Sequence, residues 1–572
     1  MNNIVIIGGM AAGCKAAARL SRLSSDYRIT IIEKGPFISF SSCGLPLYAS
    51  GEIDGISDLY KTSYGIARDQ KYFGEVKGVR VLTETEALEI DAERREVRCK
   101  GHGCEETIVL PYDSLIFATG SEAVKPNFPC ASSPAISSFH SPSDAAKFRK
   151  AAQEGKVRKA VVIGGGFVGC EMIEALSSLW GIETVLVEKE ESLLSGSLDE
   201  EIATYLKSCI KPDKANLLLS TAVDKIEIDE NRSPVVVLET GQRIPSDYVF
   251  YCLGVKPNAE LARKSGIRLG IHGGILVDDQ MRTNVRNIWA AGDCAEIMDL
   301  VTGASDCLSF GSLSNRMGRV AADSIAGRNA SFKGAVATVS LKLFENIVCA
   351  AGLTEKKARK FGLETGSVIG CWSDRPDYHP EAKLLLGKLV YEKSDLRLLG
   401  LQLVGEGEVT RYIDLFSELL AERKTVEALL DVEHGYTPAH SSPISPLNHL
   451  GAMACNQELD GVRNLSPSQV ASFEGTIIDV RESSEAESLP FPGKFIQISL
   501  SDLRTRLNDF APDEAFLFVC EKGPRAYEAA RVFLNRGYKN VSYLGGGNLL
   551  YTAANRFAEA ARRRVTTETD VS

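Results

Sequence analysis

The chain runs to 572 residues, 44% hydrophobic and 24% charged, which is enough to bury several cores and to divide into three or four domains. Its 75 acidic residues outnumber 65 basic ones for a formal charge of -10, and no Lys/Arg block interrupts the mixture, which argues against nucleic acid as a partner. No apolar run reaches bilayer length and the first residues lead directly into a strand and glycine turn, so a cytoplasmic protein without membrane attachment is expected.

Fourteen cysteines in so long a chain fall far below the density of a disulfide scaffold. There is no Cys-x-x-Cys pair and the seven histidines are scattered, so no metal site is expected. Most thiols, among them Cys99, Cys104, Cys170, Cys209, Cys252 and Cys349, read as small buried hydrophobes.

The first element, Asn3-Ile4-Val5-Ile6-Ile7, is an apolar strand running into Gly8-Gly9-Met10-Ala11-Ala12-Gly13 and an Ala-rich helix through Leu20. Strand, tight glycine turn and helix together make a pyrophosphate site: the backbone comes close and the helix N-terminus offers free N–H groups. Met10 stands where the middle glycine of the usual spacing would be. After a second strand, Arg28–Ile32, Glu33 falls 25 positions beyond Gly8, where a carboxylate accepts from a ribose; Lys34 follows it. Leu115-Ile116-Phe117-Ala118-Thr119-Gly120 is a further strand ending in a turn of small residues.

The pattern then repeats. Ala160–Ile163 leads into Gly164-Gly165-Gly166-Phe167-Val168-Gly169, a full Gly-x-Gly-x-x-Gly match, then a helix from Cys170 to Leu179, which carries Glu171, and a strand Thr184–Val187 closed by Glu188. A carboxylate at 188 favours NADH over NADPH, with Lys189 as the residue through which NADPH remains the alternative. Two copies about 150 residues apart mean two dinucleotides, and such a chain moves electrons between them. A last strand of this part, Asn287–Ala291, ends in Gly292-Asp293.

These elements resemble the FAD-dependent, two-dinucleotide disulfide reductase superfamily. The resemblance implies an α/β architecture: an FAD domain in two parts (1–113 and 251–330), an NAD(P)H domain (114–250), an α+β dimerisation domain (331–457), and a homodimer. It also implies cofactor contacts from Ala118, Thr119, Gly120, Gly254 and Gly292, with Asp293 bonding the ribityl and pyrophosphate region of FAD. Position after the first ribose carboxylate places Ser39-Phe40-Ser41-Ser42-Cys43-Gly44-Leu45-Pro46 near the flavin, and no second cysteine accompanies Cys43. A lone thiolate can form a mixed disulfide, hold a persulfide or cycle through a sulfenic acid.

The Ser-Phe-x-x-Cys arrangement resembles the coenzyme A disulfide reductase group, which includes NADH oxidases and persulfide reductases. By that resemblance Ser39 lies beside the thiol, and Arg19, Arg22, Ser42, Asn315 and Arg319 contact coenzyme A. Tyr378 and Tyr436, from the dimerisation domain of the partner, support the thiol chemistry as hydroxyl donors. His434 and His440 read as solvated loop histidines.

Beyond a linker at 458–465, Thr476–Arg481 opens a small α/β unit over 466–565, and the strand Phe516–Val519 ends at Cys520. In Cys520-Glu521-Lys522-Gly523-Pro524-Arg525 the loop N–H groups, Arg525 and a helix N-terminus can stabilise a thiolate or persulfide. With Asp479-Val480-Arg481 and Gly545-Gly546-Gly547, this resembles a rhodanese domain. The expected activity is NADH-dependent reduction of coenzyme A persulfide or polysulfide through FAD and Cys43, with sulfane sulfur handled at Cys520. The alternatives are coenzyme A disulfide reduction, NADH oxidation, and a flavin-bound redox sensor or sulfur carrier.

Overall fold

The computed structural model of the chain describes residues 2–555 except 105 and 212, so the last ten positions of the expected 466–565 domain lie outside the described residues. The chain falls into two compact units, one of residues 1–189 and 214–335, the other of 190–213 and 336–572.

In the first unit, Ile4, Val5, Ile6 and Ile7 are all buried. A strand apolar on both faces suits the middle of a parallel sheet covered on both sides, and that is where Asn2–Ile7 lies. The order is Ile288–Ala290, Ser114–Phe117, Asn2–Ile7, Tyr27–Ile32, Arg80–Leu82, all parallel. Strand order reverses at Asn2–Ile7, which makes its C-terminal end the topological switch point where ligands bind. The expected boundary at 114 therefore moves: Ser114–Phe117 pairs with Asn2–Ile7 and belongs to the first sheet. Over this sheet the helix Ala11–Leu23 buries Ala12, Ala16, Ala17 and Leu20. The helix Gly311–Ile325 crosses it at Gly318, so close that a Cβ there would stand 2.3 Å from the Ala12 carbonyl oxygen.

The second sheet repeats the plan, in the order Asn216–Leu218, Glu183–Val187, Lys159–Ile163, Tyr248–Tyr251, Ile136–Ser137, again parallel. Each half carries a three-stranded antiparallel excursion, Thr85–Pro111 in the first and Val223–Pro245 in the second. Ser121–Ala123 and Val255–Pro257 pair as an antiparallel ribbon at the two points where the chain passes between halves.

Among the described residues, the second unit holds two sheets. One is antiparallel, in the order Val339–Leu343, Asn346–Gly352, Leu398–Gly405, Leu384–Glu392, Thr365–Ser373, and its central strand Leu398–Gly405 is buried at every position. Lys388 on this sheet is 1% exposed and is neutralised by Glu201 and Glu355 at 2.8 and 2.7 Å, which anchors the 190–213 segment here. The other sheet is parallel, ordered Arg463–Leu465, Asn540–Leu544, Ala515–Val519, Thr476–Asp479, Ile496–Gln497. The expected linker at 458–465 is thus ordered: it is the end of the helix Pro446–Asp460, a left-handed Gly461 cap and an edge strand.

Candidate functional site

Both glycine turns are built for close approach. Gly8 has φ 108°, and a Cβ there would meet the Ala118 carbonyl oxygen at 2.0 Å; at Gly164 the Cys252 carbonyl oxygen takes the same place at 2.4 Å. Met10 has φ -96°, an ordinary conformation, which is why this turn needs no middle glycine. Neither following helix, Ala11–Leu23 nor Phe167–Ser178, has a side-chain cap or an acidic residue in its first turn. Their terminal N–H groups and dipoles are left for an anion.

The two carboxylates close these cradles in parallel fashion. Glu33 accepts from the N–H of Gly9 at 2.8 Å and of Gly35 at 2.7 Å; Glu188 accepts from the N–H of Gly165 at 2.5 Å. Each is held at its turn by backbone N–H groups. Asp293 accepts from the hydroxyls of Ser121 and Ser314 at 3.1 and 2.8 Å, beside the Ala118-Thr119-Gly120 turn, whose Thr119 hydroxyl donates to the Asn258 carbonyl at 2.6 Å. Ser314 sits on the helix that crosses Ala12, so the Asp293 carboxylate is fixed by tertiary contacts that no local motif signalled. Gly254, at φ 93°, accepts from the Val124 N–H at 2.9 Å in the ribbon between halves. Lys34 is exposed.

Cys43 lies in the turn Ser42–Gly44, which runs into the short helix Leu45–Ser50. That helix packs on Phe167–Ser178 and is clamped from the second half. The Trp180 indole N–H donates to the Ala49 carbonyl at 2.7 Å. Arg149, buried, donates to the carbonyls of Tyr48 and Ile53 and lies 4.5 Å over the Tyr48 ring. The exposed thiol is thereby set where the two dinucleotide halves meet. Trp180 and Arg149 went unnoticed in the sequence because neither belongs to a motif.

Partial desolvation, then the charge of Glu171 and more weakly that of Asp293, push the Cys43 pKa up, while the Ser42 hydroxyl pulls it down. The chain's own atoms therefore favour the Cys43 thiol over its thiolate. Glu171 is raised to about 7, by burial first and by Glu174 second. The expected partner Ser39 is also displaced. It has φ 55°, its N–H donates to the Gly9 carbonyl at 2.8 Å, and its hydroxyl faces the buried Cys14. Ser42 is the serine whose hydroxyl meets the Cys43 thiol.

Of the residues assigned to coenzyme A, Arg19 is spent on an ion pair with Asp323 at 2.7 Å, and Arg319 leans on the same carboxylate at 3.7 Å. Asn315 donates to its own helix at Gly311. Arg22 and Ser42 are exposed.

Within the second unit, Tyr378 is 75% and Tyr436 49% exposed, and the two phenols lie against each other. The Tyr436 loop is tied to itself: Ser441 donates to the Gly435 carbonyl at 2.9 Å, and His434 meets the Ser442 carbonyl at 3.0 Å. Arg411 donates to the His440 carbonyl at 2.7 Å. The His434 ring is therefore held, whereas His440 is exposed and bonds through its backbone.

Cys520 is 1% exposed and accepts from the N–H of Gly523, which has φ 125°, at 3.1 Å. The Gly545–Gly547 run packs on this loop: a Cβ at Gly547 would stand 2.2 Å from the Glu521 carbonyl oxygen. Asp479 and Arg481 form a buried pair at 2.6 Å, with Arg481 also donating to the Leu489 carbonyl at 2.8 Å. The Arg525 guanidinium binds both oxygens of Glu485 at 2.6 and 2.7 Å, close enough to Cys520 for the two charges to interact, and the Glu485 contact holds that carboxyl down at about 2. Glu485 was not foreseen, since nothing in its helix Ser483–Ser488 marks it.

Residues 2–306 match the pyridine nucleotide-disulphide oxidoreductase family and residues 340–445 its dimerisation domain. The chain belongs to this family. It is 31% identical over 444 residues to the NAD(P)H coenzyme A polysulfide/persulfide reductase of Pyrococcus horikoshii, covering 78% of this chain and 96% of that one. Among solved structures, it resembles an NAD-dependent persulfide reductase from A. fulgidus at 35% identity and a TM-score of 0.90, covering 96% of this chain and 100% of that one. It resembles reduced Bacillus anthracis CoADR-RHD at 31% identity and a TM-score of 0.90, over 97% and 98%.

For a pyridine nucleotide-disulphide oxidoreductase, the two cradles fit FAD at Gly8–Gly13, Glu33 and Asp293, and NAD(P)H at Gly164–Gly169 and Glu188. The donor sets are those a pyrophosphate and a ribose require. When bound, the two cofactors supply hydride and electron-pair transfer; the chain binds and orients them and presents Cys43 where the halves meet. No helix among the described residues is long and apolar enough to cross a membrane, and no group of metal-ligating side chains occurs among them.

Proposed function

We propose that this oxidoreductase uses NADH and FAD to keep Cys43 reduced, and that Cys43 reduces coenzyme A persulfide or polysulfide with release of sulfide. The observation that carries the reading is one unaccompanied thiol, clamped by Trp180 and Arg149 where two dinucleotide cradles meet. With no neighbouring cysteine to close an internal disulfide, Cys43 must exchange with a sulfur-bearing substrate. As thiolate it attacks the inner sulfur of a persulfide: that S–S bond breaks, hydrosulfide leaves and a mixed disulfide to Cys43 forms. Two electrons from NADH then split the mixed disulfide, returning the Cys43 thiolate and the coenzyme A thiol. The protein works as a homodimer in which Tyr378 and Tyr436 of the partner stabilise the leaving thiolate.

The Cys520 domain is rhodanese-like and carries sulfane sulfur. Its support is the backbone cradle on a buried strand-end thiol and the Asp479–Arg481 pair beneath it. Glu188 sets the preference for NADH, because a carboxylate there accepts from ribose hydroxyls and repels a 2′-phosphate.

The test is anaerobic NADH consumption with coenzyme A persulfide, polysulfide and coenzyme A disulfide, and aerobic consumption with oxygen, for the native enzyme, Cys43→Ser and Cys520→Ser. The expected result is sulfide release from the persulfide and polysulfide that disappears in Cys43→Ser. Full sulfur-dependent rates in Cys43→Ser would overturn the mechanism. Rates highest with coenzyme A disulfide and unaffected by Cys520→Ser would replace it with disulfide reduction.

A further inference from the structure

The loop that carries Cys520 also carries Lys522. Its ammonium lies 3.3 Å from the Asp377 carboxylate and 3.4 Å from the Ser373 hydroxyl, and Ser373 donates to Asp377 at 2.5 Å. Ser373 ends the strand Thr365–Ser373. The connection that follows is rooted by Asp374, which is buried and accepts from the Lys383 N–H at 2.8 Å, and by turn bonds from the His379 N–H to Pro376 and the Ala382 N–H to His379. Tyr378, the next residue after Asp377, stands exposed at its tip against Tyr436. A short polar chain within one unit thus joins the loop of the buried thiol to the tyrosine pair.

We propose that Asp377 and Lys522 are positioning residues that hold the mouth of the Cys520 loop against the Tyr378–Tyr436 pair, so that sulfane sulfur leaving Cys520 is handed to an acceptor thiol at that pair. This rests on the functional reading above. In the handover the acceptor thiolate attacks the outer sulfur of the Cys520 persulfide. The bond from Sγ to that sulfur breaks, a new S–S bond to the acceptor forms, and Cys520 leaves as the thiolate, with no net oxidation. The pair is mostly exposed on the Asp377 side, and exposed ion pairs hold weakly. Such a contact orients a loop without adding much to stability and can open when a bulky thiol enters.

The experiment uses the full-length holoenzyme. Cys520 is loaded anaerobically with polysulfide, the protein is desalted, and loading is measured by alkylation and mass spectrometry. Coenzyme A and NADH are then added and the single-turnover rate of NADH oxidation is followed, with steady-state reduction of coenzyme A disulfide as an independent measure of the Cys43 site. Asp377→Asn is expected to slow the handover roughly three- to fivefold, the scale of one exposed ion pair, with loading and disulfide reduction unchanged. Asp377→Glu is expected to restore it. Handover at the native rate in Asp377→Asn overturns the proposal, as does a parallel loss of loading and handover that Asp377→Glu does not repair. If the native protein itself oxidises no NADH on addition of coenzyme A, the functional reading has failed and the proposal falls with it.

Discussion

The two sulfur loops of this chain solve the problem of a reactive thiol in opposite ways. Cys520 is buried at a strand end, with a backbone N–H aimed at its sulfur and a glycine run packed against its loop. Cys43 is exposed on a short turn, and its nearest protein charges, Glu171 and Asp293, oppose ionisation. In the proposed role of Cys520 as a persulfide carrier, the anion is stabilised within the loop itself, where the Gly523 N–H stands. A thiol that works beside a bound cofactor leaves that task to the complete site, and its protein surroundings supply position instead.

The sharpest way to break this comparison is to remove each thiol. Cys43→Ser should lower NADH-dependent reduction of coenzyme A persulfide by about 10³-fold or more, as loss of a nucleophile does, while sulfur loading at Cys520 persists; loss of loading as well would mean that the two sites are not separate. Next comes Gly523→Ala. Its φ of 125° is strained for any residue with a Cβ, at about 1–3 kcal/mol, and relaxation would pull the N–H off Cys520. We expect loading at Cys520 to fall about tenfold or more, with reduction of coenzyme A disulfide unchanged. Equal damage to both activities would show that the loop does more than hold Cys520.

A smaller effect is expected from Glu485→Gln, which removes the bidentate hold on Arg525. Because Arg525 keeps Glu485 down at about 2, the pair's contribution is full above the ordinary carboxylate range and is lost only as pH falls through about 2. Loading should therefore show no step from this pair above about pH 5, and the variant should lose roughly a few-fold at every pH in that range. A step near neutrality that disappears in Glu485→Gln would contradict the assignment.

The smallest effect concerns Glu171, which is raised to about 7 and is therefore largely uncharged below that pH and charged above it. Only its charged form opposes the Cys43 thiolate. Alkylation of Cys43 by iodoacetamide should be faster in Glu171→Gln by roughly a few-fold at pH about 8, and nearly the same as native at pH about 6. A uniform change at both values would indicate a rearranged turn rather than a removed charge.

Much of the architecture was legible because it obeys local rules. Gly8, Gly164 and the apolar strands before them announce two dinucleotide folds through spacing alone, and Glu33 and Glu188 stand at the turns where their distance from the glycines put them. Cys520 and Asp479–Arg481 could likewise be read from short patterns. The reading failed where contacts are long-range. Ser39 sits four residues before Cys43, yet its φ of 55° turns it to Cys14; Arg19 carries a surface-like pattern but meets Asp323 across two helices; and 458–465 reads as a linker but supplies an edge strand.

The sequence by itself determined the two glycine turns with their carboxylates and which cysteines are candidates, because backbone geometry and strand burial depend on neighbours a few residues away. Only the tertiary structure decided which serine faces Cys43, which residues clamp its helix, and that Lys522 meets Asp377. The Ser39–Cys14, Arg149–Tyr48, Trp180–Ala49 and Lys522–Asp377 contacts join residues 25, 101, 131 and 145 positions apart, and their existence depends on how finished elements pack.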